Sequence, residues 1–212
     1  MKNIPVFTTE YGVASLTLRE IPYRNRAYIK ISSTSEPDKL MEECVAFCRA
    51  CGAEWISAAG DAYLEQYPLI TEMWLMTCNR ESIGETDACL FPMTEATMDR
   101  WLQLYNQRMT DVPNAAYLDS KDGKEFLENG DCYFVHRNGK LLGIGKAAGD
   151  SIDIVIAAER GMGETVMQAL CSILTEDVVR VMVAGSNDRA VRLYRRMGFL
   201  AVSVTDKWYR VL

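Results

Sequence analysis

In the second half of the chain, apolar residues recur at regular intervals. The length of the interval predicts whether a segment is a helix or a strand. A helix is predicted after Thr94, a typical N-cap residue, because apolar residues follow it at helical spacing, namely Met98, Trp101, Leu102 and Tyr105. Shorter apolar runs, rich in β-branched residues, predict strands. These strands cover residues 88–92, 132–136, 141–147, 152–157, 178–184, 199–204 and 208–211. Asn138-Gly139 between two of the runs predicts a tight hairpin.

Two more helices are predicted between these strands. One begins near Gly163, and its apolar face is formed by Val166, Ala169, Leu170, Ile173 and Leu174. The other covers residues 188–197 and ends at Gly198, a residue type that readily adopts the left-handed conformation of a helix cap.

The first half shows part of the same order. The predicted elements are strands at 27–31, 54–58 and 72–78, an amphipathic helix at 37–50 and a short helix at 61–67. The segments 56–60 and 181–185 fall at matching places, which we interpret as a degenerate internal repeat of residues 150–212. The alternative is that any α/β chain shows such alternation.

A linker-like stretch, residues 82–86, divides the chain into two predicted parts. Residues 1–82 are predicted to form a smaller α/β half-domain, and residues 88–212 a larger domain. The fold class is α/β, in the α+β sense of a mixed sheet.

Composition agrees with a globular fold. The 212 residues are 49% hydrophobic and 25% charged, which excludes a disordered, collagen-like or low-complexity chain. The net charge of -6 opposes general binding to nucleic acid or anionic membranes, so neither partner is expected. From Arg160 onward, however, 8 basic residues stand against 5 acidic ones, so an anion could bind there.

The cellular location is predicted from what the sequence lacks. The start of the chain has no apolar core of a signal peptide, and no apolar run approaches the ~18 residues of a membrane span. Seven cysteines, an odd number, favour free thiols in a reducing compartment. We therefore expect a cytoplasmic protein, and a homodimer is left open.

A glycine-containing segment joins a predicted strand to a predicted helix. It consists of Glu159, Arg160, Gly161, Met162, Gly163, Glu164 and Thr165. The two glycines let a ligand approach the backbone closely, and the N–H groups at the start of a helix attract anions. The arginine adds a positive charge, so a diphosphate is the natural ligand. A plain turn is the alternative, because Gly-x-Gly alone is not specific.

A second segment makes this interpretation specific. Residues 187–199 read Asn-x-x-Ala-x-x-Leu-Tyr-x-x-x-Gly-Phe, about 25 residues after Arg-Gly-x-Gly. This combination resembles the GNAT superfamily of acetyl-CoA-dependent N-acetyltransferases, over residues 88–212. The resemblance implies a GNAT-like acyl-CoA N-acyltransferase fold, with a central, mostly antiparallel twisted sheet flanked by helices. Residues 1–82 would then be a degenerate GNAT-like half without a cofactor loop.

The resemblance also implies a reaction and a site. An acetyl group would pass directly from acetyl-CoA to a primary amine of a small molecule or a protein N-terminus, without a metal. Tyr194 would be the general acid that protonates the leaving thiolate. The remaining implied cofactor-binding residues are Val155, Ile156 and Ala157 for the pantetheine arm, Arg160, Gly161, Met162, Gly163, Glu164 and Thr165 for the pyrophosphate, and Asn187 and Ala190 in the second motif. Two residues depart from the family pattern. The family usually has Gly or Ala at the position of Thr165 and often has Pro at the position of Ala157.

The group that removes a proton from the amine is less clear. Asp153 is our first choice, because strict alternation places it on the same strand face as Val155. A solvent-facing Asp153 is the alternative. His136, the single histidine, stands beside the hairpin turn and is more typical of a surface residue. A water-mediated base stays open.

Other interpretations apply to the arginines, to the overall function and to a cysteine cluster. The arginines at 189, 192, 195 and 196 could reach the phosphorylated ribose of CoA or form a solvated helix face; nucleic-acid binding through them is opposed by their acidic context. A CoA-binding or sensor module without turnover is the main alternative function. The spacing of Cys44, Cys48 and Cys51 matches a radical-SAM cluster site. The segment is predicted to be helical, however, and Met41, Cys44, Val45 and Cys48 form one apolar stripe on it, which favours buried structural thiols.

The acceptor amine is not identified by the sequence. Asp111, Asp119, Asp122 and Glu128 could attract a cationic amine from the predicted loop region 108–126, or they could be solvated loop charge. The N-terminal half is expected to cover a sheet edge and to shape the acceptor pocket.

Overall fold

The computed structural model describes residues 6–60, 62–113 and 115–212. Its strands are β1 Val6–Thr9, β2 Gly12–Thr17, β3 Arg26–Thr34, β4 Trp55–Ala59, β5 Leu69–Asn79, β6 Cys89–Pro92, β7 Cys132–Arg137, β8 Lys140–Ala148, β9 Ser151–Ala157, β10 Val178–Ala184 and β11 Leu200–Arg210. Its α-helices are α1 Ile21–Arg24, α2 Pro37–Ala50, α3 Met98–Met109, α4 Ser120–Asn129, α5 Gly163–Cys171 and α6 Asp188–Arg196. Two features of the sequence predictions lie outside the described residues. They are the chain start, from which the cellular location is predicted, and Asp61, the predicted first residue of a short helix. From Ala62 to Gln66 the chain forms a 3₁₀ turn.

The described residues fall into two compact units. The first contains the residues up to Met73 together with Thr205–Leu212, and the second contains Trp74–Val204. β5 and β11 therefore contribute residues to both units. The predicted division into domains 1–82 and 88–212 stays a prediction. The boundary between the compact units lies earlier, after Met73, and the last residues of the chain, Thr205–Leu212, belong to the first unit.

The first unit is built on antiparallel β1, β2 and β3, followed by β4, which runs parallel to β3. The end of β11 pairs with β4, with Tyr209 opposite Ala58. α2 packs its apolar stripe into this core through Leu40, Met41, Cys44 and Cys48, which confirms the buried thiols predicted there.

The second unit is a mixed sheet with helices on both faces. β6, β7, β8 and β9 are antiparallel neighbours, and β10 runs parallel to β9. α5 packs on one face with the buried residues Val166 and Leu170, and α3 packs on the other with Trp101. The predicted α3 face of Met98, Trp101, Leu102 and Tyr105 is buried as expected.

Several predicted boundaries were wrong for identifiable reasons. α5 ends at Cys171, so Ile173 leaves its apolar face and is 40% exposed. The two strands predicted at 199–204 and 208–211 are one continuous strand, β11, and the polar residues between them make ion pairs. Lys30 lies 2.9 Å from Asp206, and Glu65 lies 3.5 Å from Lys207.

The segment predicted as a loop between α3 and β7 contains a helix. The side chain of Asp119 accepts hydrogen bonds from the backbone N–H groups of Lys121 and Asp122 at the start of α4, and the Asp122 carboxylate accepts one from the Asp119 N–H. This reciprocal capping box uses two of the acidic residues that were considered for amine binding. Among the described residues, no helix is both long and apolar enough to cross a membrane.

Candidate active site

β9 and β10 separate shortly after they begin to pair. They are joined as parallel neighbours at Ser151 with Arg180 and at Ile152 with Val181. Past these pairs, within the described residues, the rest of β9 pairs with β8 alone. Because α5 follows β9 and α6 follows β10, both helices begin at the open ends of the separating strands, where ligands bind in open α/β sheets.

A β-bulge marks the point of separation. Ile154 lies opposite Lys146 and Ile152 lies opposite Ala147, so no residue of β8 is paired with Asp153 in the strand register. An extra residue of this kind bends a strand and changes the direction of the groups that follow it.

Where β9 and β10 no longer pair, part of the described β9 backbone has a neighbouring strand on one side alone. The Ala158 N–H donates to the Leu142 carbonyl at 2.8 Å, which fixes the pattern of hydrogen bonds between β9 and β8. Since such bonds recur at every second residue of an antiparallel strand, Ile156 also faces β8. The backbone groups of Val155 and Ala157 therefore point away from β8, toward β10. This is the edge to which an extended ligand could add as a strand.

A cleft of about 660 Å³ occupies this opening. Ten of the predicted cofactor-binding residues line it, namely Val155, Ile156, Ala157, Arg160, Gly161, Gly163, Glu164, Asn187, Ala190 and Tyr194. Two others do not. Met162 packs against the core of the second unit, and Thr165 lies in the first turn of α5 outside the lining.

The start of α5 borders the cleft with two glycines. Gly161 has a φ of 93°, a left-handed conformation that a side chain would strain, and no atom comes within 4 Å of a Cβ built there. Gly163 begins α5, so the backbone N–H groups of its first turn lack partners within the helix. Phosphate binding by this segment stays a prediction.

The start of α6 forms the opposite wall. The Asn187 side-chain oxygen accepts a hydrogen bond from the Ala190 N–H at 3.2 Å and caps the helix. Its amide NH₂ is the part left for a ligand. Tyr194 follows about two turns later, is only 7% exposed and packs against Phe199 with ring centroids 5.7 Å apart. Burial raises the pKa of Tyr194 to about 12.

The charge of the cleft is mainly positive. Its lining includes Arg108, Arg160, Arg189, Arg192 and Arg196, with Glu159 and Glu164 as the acidic members. One predicted arginine lies elsewhere: the guanidinium of Arg195 sits 5.6 Å from the ring centroid of Trp74. Most of the α6 arginines thus surround the site, which suits a polyanionic ligand.

Asp153, the predicted base, lies outside the cleft lining. The expectation that it shares a strand face with Val155 was wrong, because the bulge interrupts the alternation. Its carboxylate contacts Lys146 and accepts a hydrogen bond from the Ser151 hydroxyl at 2.8 Å. Burial raises the pKa of Asp153, but the hydrogen bonds from Lys146 and Ser151 and the Lys146 charge outweigh it, so the net pKa is lowered. A carboxyl with a lowered pKa is a weak base near neutral pH.

His136 also lies outside the cleft lining. It is part of β7, and its ring lies 5.3 Å from that of Phe91 and 6.4 Å from that of Phe134. The expected surface residue is therefore half-buried between aromatic neighbours.

The end of α3 supplies lining residues that the sequence did not reveal. Met109 and Val112 border the cleft, and the Arg108 guanidinium donates a hydrogen bond to the carbonyl of Ala158, just past β9. Their place follows from the packing of α3 across the sheet. No motif marks them.

Solved structures share this fold. A functionally unknown conserved protein from Staphylococcus epidermidis ATCC 12228 aligns with a TM-score of 0.61 at 13% identity, over 98% of this chain and 93% of its own. A GCN5-related N-acetyltransferase from Kribbella flavida aligns with a TM-score of 0.58 at 11% identity, over 96% of this chain and 58% of its own. A second structure of that description from the same organism gives 0.53 at 13% identity, over 98% and 89%. No protein-family model and no curated protein matches the sequence. The chain therefore has the predicted GNAT acyltransferase fold.

Proposed function

We propose that this protein is an N-acetyltransferase that moves an acetyl group from acetyl-CoA to a primary amine of a small molecule or a peptide. One observation carries the proposal: the open edge of β9, the glycine-containing start of α5 and the hydroxyl-bearing Tyr194 line one cleft. The GNAT fold of the chain agrees with an acyltransferase, and the residues of the cleft supply the more specific claim.

The chemistry of the cleft fits the parts of coenzyme A. A diphosphate would be held by the backbone N–H groups of Gly161, Gly163 and Glu164 at the start of α5, assisted by Arg160. The amides of the pantetheine arm would pair with the backbone groups of Val155 and Ala157 and with the Asn187 NH₂. Arg189 and Arg192 provide charge for a further phosphate.

Tyr194 would act as the proton donor. Acetyl-CoA, when bound, supplies a thioester whose C–S bond breaks as the C–N bond to the amine forms. With a pKa near 12, the phenol stays protonated at neutral and moderately alkaline pH and can donate its proton to the sulfur that leaves. The amine must lose a proton in the same reaction, and water in the cleft is the proposed carrier, since Asp153 is held by Lys146.

Binding and turnover are tested separately. At a hundredfold excess over its dissociation constant, a ligand stabilises the folded state by about 2.7 kcal/mol, which for a chain of this size raises Tm by about 5–11 °C. We expect this shift with acetyl-CoA. Release of free thiol over a panel of primary amines then measures transfer.

Two variants sharpen the experiment. Tyr194→Phe should lower kcat about a hundredfold or more while acetyl-CoA still stabilises the protein. Tyr133→Phe is the matched control, because it removes a hydroxyl that donates to the Gly130 carbonyl outside the cleft lining. Stabilisation without thiol release from any amine would favour the sensor module, and no stabilisation at all would overturn the proposal.

A further inference from the structure

A charged cluster lies where β9 separates from β10, beside the cleft but outside its lining. It consists of Lys146 on β8, Asp153 at the bulge of β9 and Asp131 immediately before β7. The Lys146 Nζ lies 3.0 Å from the Asp131 carboxylate and also contacts Asp153. Lys146 is 16% exposed and Asp131 is 11% exposed, so the pair is largely removed from solvent.

Asp131 holds both residues of β8 that flank the bulge. Its carboxylate binds the side chain of Lys146, and its backbone carbonyl accepts a hydrogen bond from the Ala147 N–H at 2.9 Å. Ala147 lies opposite Ile152, on one side of the bulge, and Lys146 lies opposite Ile154, on the other. The register shift between β8 and β9 is therefore fixed from the β7 end.

Lys146 connects this anchor to the bulged residue. The Asp153 side chain is bound by both Lys146 and Ser151, so it is tied to its own strand and to β8. Removing the lysine would leave two carboxylates close together without a counter-charge, one of them largely buried. Breaking such a buried pair is costly, because the remaining charge loses its partner and cannot regain full hydration.

We propose that Lys146 is a positioning residue that, with Asp131 and Asp153, holds the bulge and thereby aims the backbone groups of Val155 and Ala157 into the cleft. The inference rests on the proposed function insofar as those groups bind coenzyme A. Asp153 would then act by fixing the backbone of β9 at the bulge and not by transferring a proton.

The first experiment compares Lys146→Met with Lys146→Arg in the full chain. Lys146→Met removes the charge and keeps most of the length, and we expect its dissociation constant for CoA, measured by calorimetry, to rise about tenfold or more. Lys146→Arg keeps the charge and should recover most of the affinity. Arg137→Met is the matched control, because it removes an exposed ion pair with Asp87 and should leave CoA affinity within about threefold.

Asp153→Asn separates positioning from catalysis. A general base contributes about a hundredfold or more to turnover, so its loss would lower kcat with little change in CoA affinity. A positioning role predicts the opposite split, with a larger effect on KM for acetyl-CoA than on kcat. This variant also retains the pair between Lys146 and Asp131, so it serves if Lys146→Met fails to fold.

Hydrogen exchange tests the inference without a ligand. The Ile154 and Ile156 amides, which face β8, should exchange at least about tenfold faster in Lys146→Met or Asp153→Asn than in wild type. Unchanged exchange there, or wild-type CoA affinity in Lys146→Met, would overturn the positioning role. If wild-type protein does not bind CoA, the proposed function fails, and the exchange rates still decide whether the cluster holds the bulge.

Discussion

The packing of α5 on the sheet depends on two glycines of β8, and Gly143 provides a sharp test. A Cβ built on Gly143 would lie 2.2 Å from the Ile156 carbonyl oxygen and 2.6 Å from the Val166 Cγ2. Gly145 is similarly crowded by the side chain of Leu170 at 2.2 Å. Carbon and oxygen atoms cannot approach so closely, and the oxygen belongs to the backbone of the neighbouring strand, so Gly143→Ala must move β9 or α5.

The expected cost follows from this overlap. Extra methyl groups in a packed core cost about 1–3 kcal/mol, and a clash with a backbone atom, which cannot rotate away, belongs at the upper end. About 3 kcal/mol corresponds to a Tm lower by about 6–12 °C for a chain of this size. Binding of CoA should weaken too, because Val166 lies in the first turns of α5 and Gly143 lies opposite Ala157 of the cleft.

Gly149→Ala is the control for adding a methyl group to a glycine. Gly149 has a φ of 61°, and no atom lies within 4 Å of the position that the added methyl group would take, so this change tests backbone strain without overlap. Left-handed backbone costs an alanine about 1 kcal/mol, or about 2–4 °C in Tm. Thermal unfolding followed by circular dichroism measures both variants. Gly143→Ala no less stable than Gly149→Ala would refute the close packing of β8 against β9 and α5.

Three further predictions use other features. Of the 7 thiols, only the exposed Cys51 and Cys89 should react rapidly with a thiol reagent in the native protein, and all should react in denaturant; fast reaction of more would contradict the packing. The ultraviolet difference titration between wild type and Tyr194→Phe should have its midpoint near pH 12 instead of 10. The contribution of the neutral phenol to the free energy of unfolding should be complete below pH 10 and should be lost as the pH rises through 12. Deleting residues 1–80 removes Met76 from the core of the second unit, so the shortened chain should fail to fold; a soluble fragment with cooperative unfolding would disprove this.

The parts of the site that the sequence predicted are those encoded by short segments. A glycine-containing strand-to-helix turn and an Asn cap each depend on a few adjacent residues, and Gly161, Gly163 and Asn187 lie together in the cleft lining. Their binding of a cofactor stays a prediction. Arg108 was missed because its place depends on how α3 crosses the sheet. Such tertiary packing leaves no mark in the local pattern.

Asp153 shows how a local rule can mislead. Alternation along a strand predicts that residues two apart share a face. A single unpaired residue shifts the alternation, so residues counted across it no longer follow the rule, although the alternation resumes beyond it. α4 was missed for a different reason, because few of its residues are apolar and only the spacing of Asp119 and Asp122 indicated a capped helix start.

The segment Thr205–Leu212 has a consequence for folding on the ribosome. It belongs to the first unit, where Tyr209 is part of the buried core, yet it is synthesised after the whole of Trp74–Val204. At about 5–20 residues per second, the intervening stretch of about 130 residues takes roughly 6–26 s to translate. During that time the first unit lacks its last strand and exposes the apolar surface that Tyr209 later covers. The N-terminal unit, although made first, can complete its core only after the other has been synthesised, and its exposed apolar surface is open to aggregation and to chaperones during this interval.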